Sequence, residues 1–255
     1  MTAVDTPLIE MSAITKSFGA VAALSGIDFS VAKGEIVALL GDNGAGKSTL
    51  IKMLSGVTRP DIGQISVRGK SVNFRSPRDA IEAGIETIFQ GSALVDQLNA
   101  ARNLFLGREP RTRIAGILPR LNTRLMNEQS RILLKEMGLH RKIDPSTPIA
   151  RMSGGERQSI AIARAMYFDA ELIILDEPTN NLGVDETRRV LQFISDAKDA
   201  GRSSIFITHN IFHVFQVVDR IVVLRRGRKV ADIATSDTTI EEVERLITGA
   251  SEPRT

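Results

Sequence analysis

Gly41-Asp-Asn-Gly-Ala-Gly-Lys-Ser-Thr49 places glycines at 41 and 46, with a lysine and a serine directly after the second. This is the spacing G-x-x-x-x-G-K-[ST], and its residue types suit one task, holding phosphate. Glycines let the backbone wrap closely and aim N–H groups at anionic oxygens. A helix starting at Lys47 presents its positive N-terminal end to the same charge. Lys47 adds a full cation near the β- and γ-phosphates, and Ser48 offers a hydroxyl to Mg²⁺. Gly41, Asp42, Asn43, Gly44, Ala45, Gly46, Lys47, Ser48 and Thr49 are therefore the expected cradle for ATP. A plain glycine turn would also match four fixed positions. The context favours the cradle: Glu35–Leu40 leads in as an apolar strand and Leu50-Ile-Lys-Met-Leu54 leads out as a helix.

Asp176 and Glu177 follow the apolar run Leu172–Leu175 without a gap. An acid at that place can hold Mg²⁺, directly or through water, beside a phosphate loop. A second carboxylate one residue later can orient and polarise an attacking water. Acids also end strands for no chemical reason, and it is the upstream loop that gives this pair a task. His209, after the strand Ser204–Thr208, lies where a parallel sheet offers its strand ends to ligands and could donate a hydrogen bond to the γ-phosphate. His140 and His213 read as turn residues. Gln90, ending the strand Glu86–Phe89, could reach Mg²⁺ or the water.

The elements that must position these groups are short. Glu35–Leu40, Glu171–Leu175, Ser204–Thr208 and Arg220–Leu224 are continuously apolar and β-branched, as strands buried on both faces are. Arg225–Arg228 turns into a further strand near Val230. Helices are predicted over Lys47–Ser55, Glu156–Tyr167, Val184–Ala200 and Ile240–Ile247. Such alternation predicts an α/β sheet with helices on its faces. The first ~34 residues instead alternate apolar and polar types, which predicts a small antiparallel sheet beside the main one. Residues 91–148, with a polar helix over Asn122–Met137 between loops holding Pro110, Pro119, Pro145 and Pro148, predict an inserted helical subdomain. One domain over 1–255 is expected, with its core at about 8–90 and 149–248 and a frayed tail at Ser251–Thr255.

Bulk properties bound the partners. With 33 basic and 30 acidic residues, the net charge of +3 is too small to argue for nucleic acid. The absence of cysteine excludes disulfides and thiol catalysis. Asp5 and Pro7 with no apolar core predict no signal peptide. No run approaches the ~20 apolar residues of a membrane span, so a membrane role requires a partner.

Met152-Ser-Gly-Gly-Glu-Arg-Gln158, between the phosphate loop and the acid pair, resembles the signature of ABC-type ATPases, usually Leu-Ser-Gly-Gly-Gln. Loop at 41–49, glutamine at 90, signature at 153–157, acids at 176–177 and histidine at 209 follow that family's order over about residues 8–248. The resemblance implies a P-loop NTPase core of the ABC type. It also implies a head-to-tail homodimer whose ATP lies on one copy's loop and under the other copy's Ser153, Gly154, Gly155 and Glu156. Phe18 matches the aromatic that stacks on adenine in this family. Ser48, Gln90 and Asp176 match its metal-holding positions, and Glu177, His209 and Gln90 its catalytic ones. The style of Gly41–Gly46, Ala93–Leu98 and Asn103–Pro110 is similar to the ATPase subunits of monosaccharide importers. That implies two transmembrane permease subunits, a periplasmic-type sugar-binding protein, and a place on the cytoplasmic face of the inner membrane. Ala93–Arg108 is expected to face the permease.

Three departures stand out: Met152 for leucine, Glu156 for glutamine, and Asn180-Asn-Leu-Gly183 where Ser-Ala-Leu-Asp is common. Soluble ABC ATPases of DNA repair or translation are the alternative. They fit less well, because their long coiled coils or second modules are missing here. A non-hydrolysing ATP-binding regulator is disfavoured by Glu177 and His209, and a small-molecule kinase leaves the signature unexplained.

Overall fold

The computed structural model describes residues 6–89, 94–114, 118–136, 143–168, 170–180 and 182–249. Twelve strands are seen among them: β1 Ile9–Phe18, β2 Val21–Val31, β3 Ile36–Leu40, β4 Ile62–Val67, β5 Lys70–Val72, β6 Ile85–Ile88, β7 Arg111–Ile114, β8 Leu118–Leu121, β9 Leu172–Asp176, β10 Ser203–Ile207, β11 Arg220–Arg225 and β12 Arg228–Ala234. Eight α-helices accompany them: α1 Lys47–Leu54, α2 Pro77–Glu82, α3 Ala100–Leu104, α4 Thr123–Glu136, α5 Gly154–Tyr167, α6 Val184–Asp199, α7 Ile211–Val217 and α8 Ile240–Thr248.

The main sheet has the order β12-β11-β3-β10-β9-β6 and is parallel except for β12. Its central strands are buried along nearly their whole length and mostly apolar, because both of their faces are covered. In β3, Val37 and Leu39 enter a core shared with α1 and the second sheet. Ile36, Ala38 and Leu40 enter the opposite core, with Ile162 of α5, Phe193 of α6 and Val214 of α7. Leu172 and Ile174 of β9 go to the first core, Ile173 and Leu175 to the second.

The second sheet is antiparallel, ordered β2-β1-β4-β5. Its first two strands fall where alternation in the first ~34 residues places them, and β4 and β5 extend it beyond that stretch. In β1, Ile9 and Met11 are buried while Glu10 and Ser12 are exposed, as a one-faced strand requires.

Between β6 and α5 the chain leaves the core. α3 and α4 pack on α5 through Leu104, Phe105, Met126, Leu134 and Ile160. The loops expected around Pro110 and Pro119 are instead a hairpin, β7 paired with β8. Its strands expose Arg111, Thr112, Arg113 and Leu118 to solvent, so their described side chains form no buried face that periodicity could reveal.

One buried carboxylate ties this excursion to the core. Glu86 of β6 is 7% exposed and accepts a hydrogen bond from Arg108 Nη2 at 2.7 Å, with Arg164 Nε of α5 at 3.7 Å. The Arg108 guanidinium also lies 4.1 Å from the Phe168 ring centre. Removing one partner of such a group strands the others in a poor solvent, at a cost of about 3 kcal/mol. Glu86→Ala is therefore expected to lower stability by about that amount, read as a shifted urea midpoint at unchanged slope.

Candidate functional site

Parallel pairing of β3, β10 and β9 brings three loops to one edge of the main sheet. The loop after β3 turns into α1 through Gly46, which has φ of 107°. A Cβ on Gly46 would stand 2.5 Å from Leu24 Cδ2 and 2.9 Å from the Ala23 carbonyl, so no other residue fits. No side chain caps α1 and its first turn holds no acid, which leaves its positive end open to an anion. Lys47 Nζ donates to the carbonyls of Gly41 at 2.5 Å and Asp42 at 3.0 Å. Burial holds this ammonium below its ordinary pKa, against the pull of Glu177, Asp176 and Asp42.

Asp176 ends β9 opposite Ile207 of β10. Burial and the adjacent Glu177 carboxylate push its pKa above the usual carboxylate range, and Lys47 and Lys52 draw it back. Glu177 has φ of 53°, a left-handed conformation that costs a side-chain-bearing residue about 1 kcal/mol. Its N–H donates to the Ile207 carbonyl at 2.9 Å, which holds that conformation. The side chain is 14% exposed, and its Oε2 lies 2.9 Å from Nδ1 of His209, which is 72% exposed.

A cavity of about 660 Å³ is lined by the whole loop from Gly41 to Thr49, by Asp176, Glu177 and His209, and by Val21–Ala23 at its far end. Phe18 is not among its lining residues. It ends β1 beside Val21, 53% exposed, with Lys16 Nζ 5.5 Å from its ring centre, and so stands at the rim. Gln90, Asn181 and His140 lie outside the described residues.

Ser153, Gly154, Gly155 and Glu156 do not line this cavity. The Ser153 N–H donates to Glu156 Oε2 at 2.8 Å, and Ser153 Oγ accepts from the Glu156 N–H at 3.3 Å. This reciprocal pair closes the start of α5, a task a glutamate performs as well as a glutamine. A Cβ on Gly155 would collide with Glu186 of α6, so packing within the chain explains that glycine. Gly154 has nothing within 4 Å of a built Cβ, so its own chain does not require it to be small. Met152 is buried with Ile149 and Ile160, as a leucine would be.

His213 is not a turn residue. It sits in the first turn of α7, whose N-cap is Asn210, with Thr179 Oγ1 3.3 Å from its Nδ1. The missed signal was the cap: an asparagine before an apolar run starts a helix, and three residues on puts His213 in its first turn.

The ABC transporter family model matches residues 24–180, and the chain belongs to the ABC transporter ATPases. A fructose import ATP-binding protein of Rhizobium meliloti is 43% identical over 97% of this chain and 96% of its own length. A xylose/arabinose import ATP-binding protein of Sulfolobus acidocaldarius is 45% identical over 94% of each. A ribose import ATP-binding protein of Agrobacterium fabrum is 38% identical over 96% of this chain, which spans 47% of that protein. In fold, the chain is similar to a nucleotide-free ATP-binding cassette from an ABC transporter, with TM-score 0.79, 23% identity and 95% of both chains covered.

The raised pKa of Asp176 carries a sign. The folded chain holds this proton more tightly than the unfolded chain, so stability is full below the unfolded carboxylate pKa and falls as pH rises from there through the raised folded value. Asp176→Asn is expected to raise the melting temperature of the nucleotide-free chain at pH 7 and to change it little near pH 4. The same variant is expected to lose ATP turnover.

Proposed function

We propose that the chain is the ATP-hydrolysing subunit of a membrane importer for a monosaccharide. The observation that carries the ATPase part is the single cavity shared by the Lys47 loop, Asp176, Glu177 and His209. Support for the cargo comes from relatives whose names assign them to fructose, xylose/arabinose and ribose import. Among the described residues no helix is long and apolar enough to cross a membrane, so transport calls for two transmembrane permease subunits, with a sugar-binding protein delivering the cargo. The chain would then sit at the cytoplasmic face of the membrane.

In this reading the N–H groups of Gly44–Thr49 and the Lys47 ammonium bind the β- and γ-phosphates. Mg²⁺ fits the donor set. Among the described residues no cluster of three His, Cys, Asp or Glu is formed, whereas Ser48 and Asp176 line the cavity together. One hydroxyl and one carboxylate beside phosphate oxygens and water is the set this ion prefers. When bound, it would neutralise charge developing on the phosphates. Glu177 Oε2 accepts a proton from the attacking water. In the structure that oxygen faces His209 Nδ1, and as a carboxylate oxygen it can only accept, so the imidazole N–H points at it. A turn of the exposed ring would move this N–H to the γ-phosphate and release the carboxylate to the water. Gln90 would contact the same water or the ion.

Two copies, head to tail, would complete each site. Ser153 and Gly154 stand outside their own chain's cavity, and the open space over Gly154 leaves room for another copy's phosphates. Phe18 at the rim would stack on adenine. The excursion from β6, through residues 94–108, would meet the permease, and the Glu86 pairs would transmit its rotation to the strand before Gln90 and to α5.

Glu177→Gln is expected to keep ATP affinity within threefold and to lower kcat at least ~100-fold, whereas Lys47→Ala weakens binding and turnover together. Nucleotide-binding and phosphate-release assays separate the two. Arg102→Glu, on the exposed face of α3, is expected to reduce co-purification with the permease and leave the chain's own ATPase rate intact. For the cargo, the complete complex in liposomes is assayed with binding proteins loaded with single sugars. Stimulation by one monosaccharide-loaded protein supports the reading, and no stimulation by any of them refutes it.

A further inference from the structure

The ladder between β9 and β10 ends with the bond from the Glu177 N–H to the Ile207 carbonyl. Beyond it two segments separate: Glu177-Pro-Thr179 on one side and Thr208-His-Asn210 on the other. The Glu177–His209 contact crosses the gap on the cavity side. His213 crosses it again on the other side, at the head of a groove of about 610 Å³ between α6 and α7.

The atoms of this second crossing can be assigned. Asn210 Oδ1 caps α7 by accepting the His213 N–H at 3.4 Å. The cap fixes the amide's orientation, so Asn210 Nδ2 is the atom 3.2 Å from His213 Nε2. An amide nitrogen only donates, so Nε2 must accept. In a neutral ring the proton is then on Nδ1, which donates to Thr179 Oγ1 at 3.3 Å. Burial, with His209 nearby, holds the His213 pKa below the ordinary imidazole value. A proton on Nε2 would set one N–H against another at Asn210.

Each arm reaches a residue next to the site. Thr179 is two residues after Glu177, on the turn that follows its left-handed backbone. Asn210 directly follows His209, whose ring is mostly in solvent and has little packing of its own to steer it. We propose that His213 is a positioning residue for ATP hydrolysis: its imidazole ties the turn carrying Glu177 to the loop carrying His209 and sets the distance between them. This rests on the reading that Glu177 and His209 act in hydrolysis. A displacement of about 1 Å at a reacting group can cost roughly 100-fold in rate. Because both arms are long hydrogen bonds, a loss of about tenfold is expected when they are removed.

The test is steady-state ATP turnover by the full chain with Mg²⁺, with kcat, KM for ATP and melting temperature measured for each variant. His213→Ala is expected to lower kcat about tenfold with KM within twofold. His213→Gln, whose carbonyl can accept from Asn210, and His213→Asn, whose amide can donate to Thr179, are each expected to recover part of the loss. In a His209→Ala background, His213→Ala is expected to lower the residual rate less than twofold, because groups acting as a unit are not additive. A purely structural role would leave the two losses additive and would move the melting temperature with the rate. Wild-type kcat in His213→Ala, or fully additive losses, overturns the proposal while Glu177→Gln stays inactive. If Glu177→Gln and His209→Ala both turn over normally, the reading beneath the proposal fails instead. Should the alanine variant not fold, Gln and Asn decide alone: reduced kcat at unchanged melting temperature supports the tie, and wild-type kcat in both refutes it.

Discussion

The parallel register of β3, β10 and β9 is the constraint on which the site depends. Phe206 stands opposite both Ala38 and Leu175, and Ile207 opposite Asp176, so the phosphate loop, the acid pair and the histidine loop leave the sheet together. Side chains on a strand alternate with period two, so a slip of one residue in β9 would send Asp176 to the other face and reverse both cores at once. Cores on both faces of the sheet make that slip very costly, because Ile173 and Leu175 would exchange places with Leu172 and Ile174. The hydrophobic pattern therefore fixes the geometry of the charges.

Those charges are individually unfavourable. Burial and Glu177 oppose the ionised form of Asp176, burial opposes the ammonium form of Lys47, and Glu177 holds a left-handed backbone. Strain of this kind persists only where the surroundings over-determine it, and it clusters where chemistry is done. The Lys47 ammonium and the two carboxylates offset one another in part.

Much of this was legible in the sequence. Strands apolar on both faces, a glycine-rich loop between a strand and a helix, and acids closing a strand are each local in origin, and β3, α1 and β9 lie where those signals put them. What stayed hidden was set by distant partners. β4 joins the antiparallel sheet by pairing with β1, some fifty residues earlier, and nothing in its own few residues specifies that partner; β5 then pairs with β4. The hairpin β7–β8 is solvated on its described face, and α7 is too short, and too apolar in sequence, to show a period. Glu86 and His213 carry the same lesson. A single glutamate in a strand and a single histidine after a loop have little meaning until folding brings Arg108 and Arg164 to one, and Thr179 and Asn210 to the other.

The central claim is that ATP is clamped between two copies, cradled by one loop and covered by the other's signature turn. The chain contains no cysteine, so introduced thiols report cleanly. One preparation carries Asn43→Cys and another Gly154→Cys, and equal amounts are mixed with a short bismaleimide in the presence or absence of Mg²⁺-ATP. The account predicts a covalent dimer that forms when Mg²⁺-ATP is present, does not form when ADP takes its place, and contains one copy of each variant. Unchanged ATP turnover with no cross-link at any nucleotide concentration would contradict it.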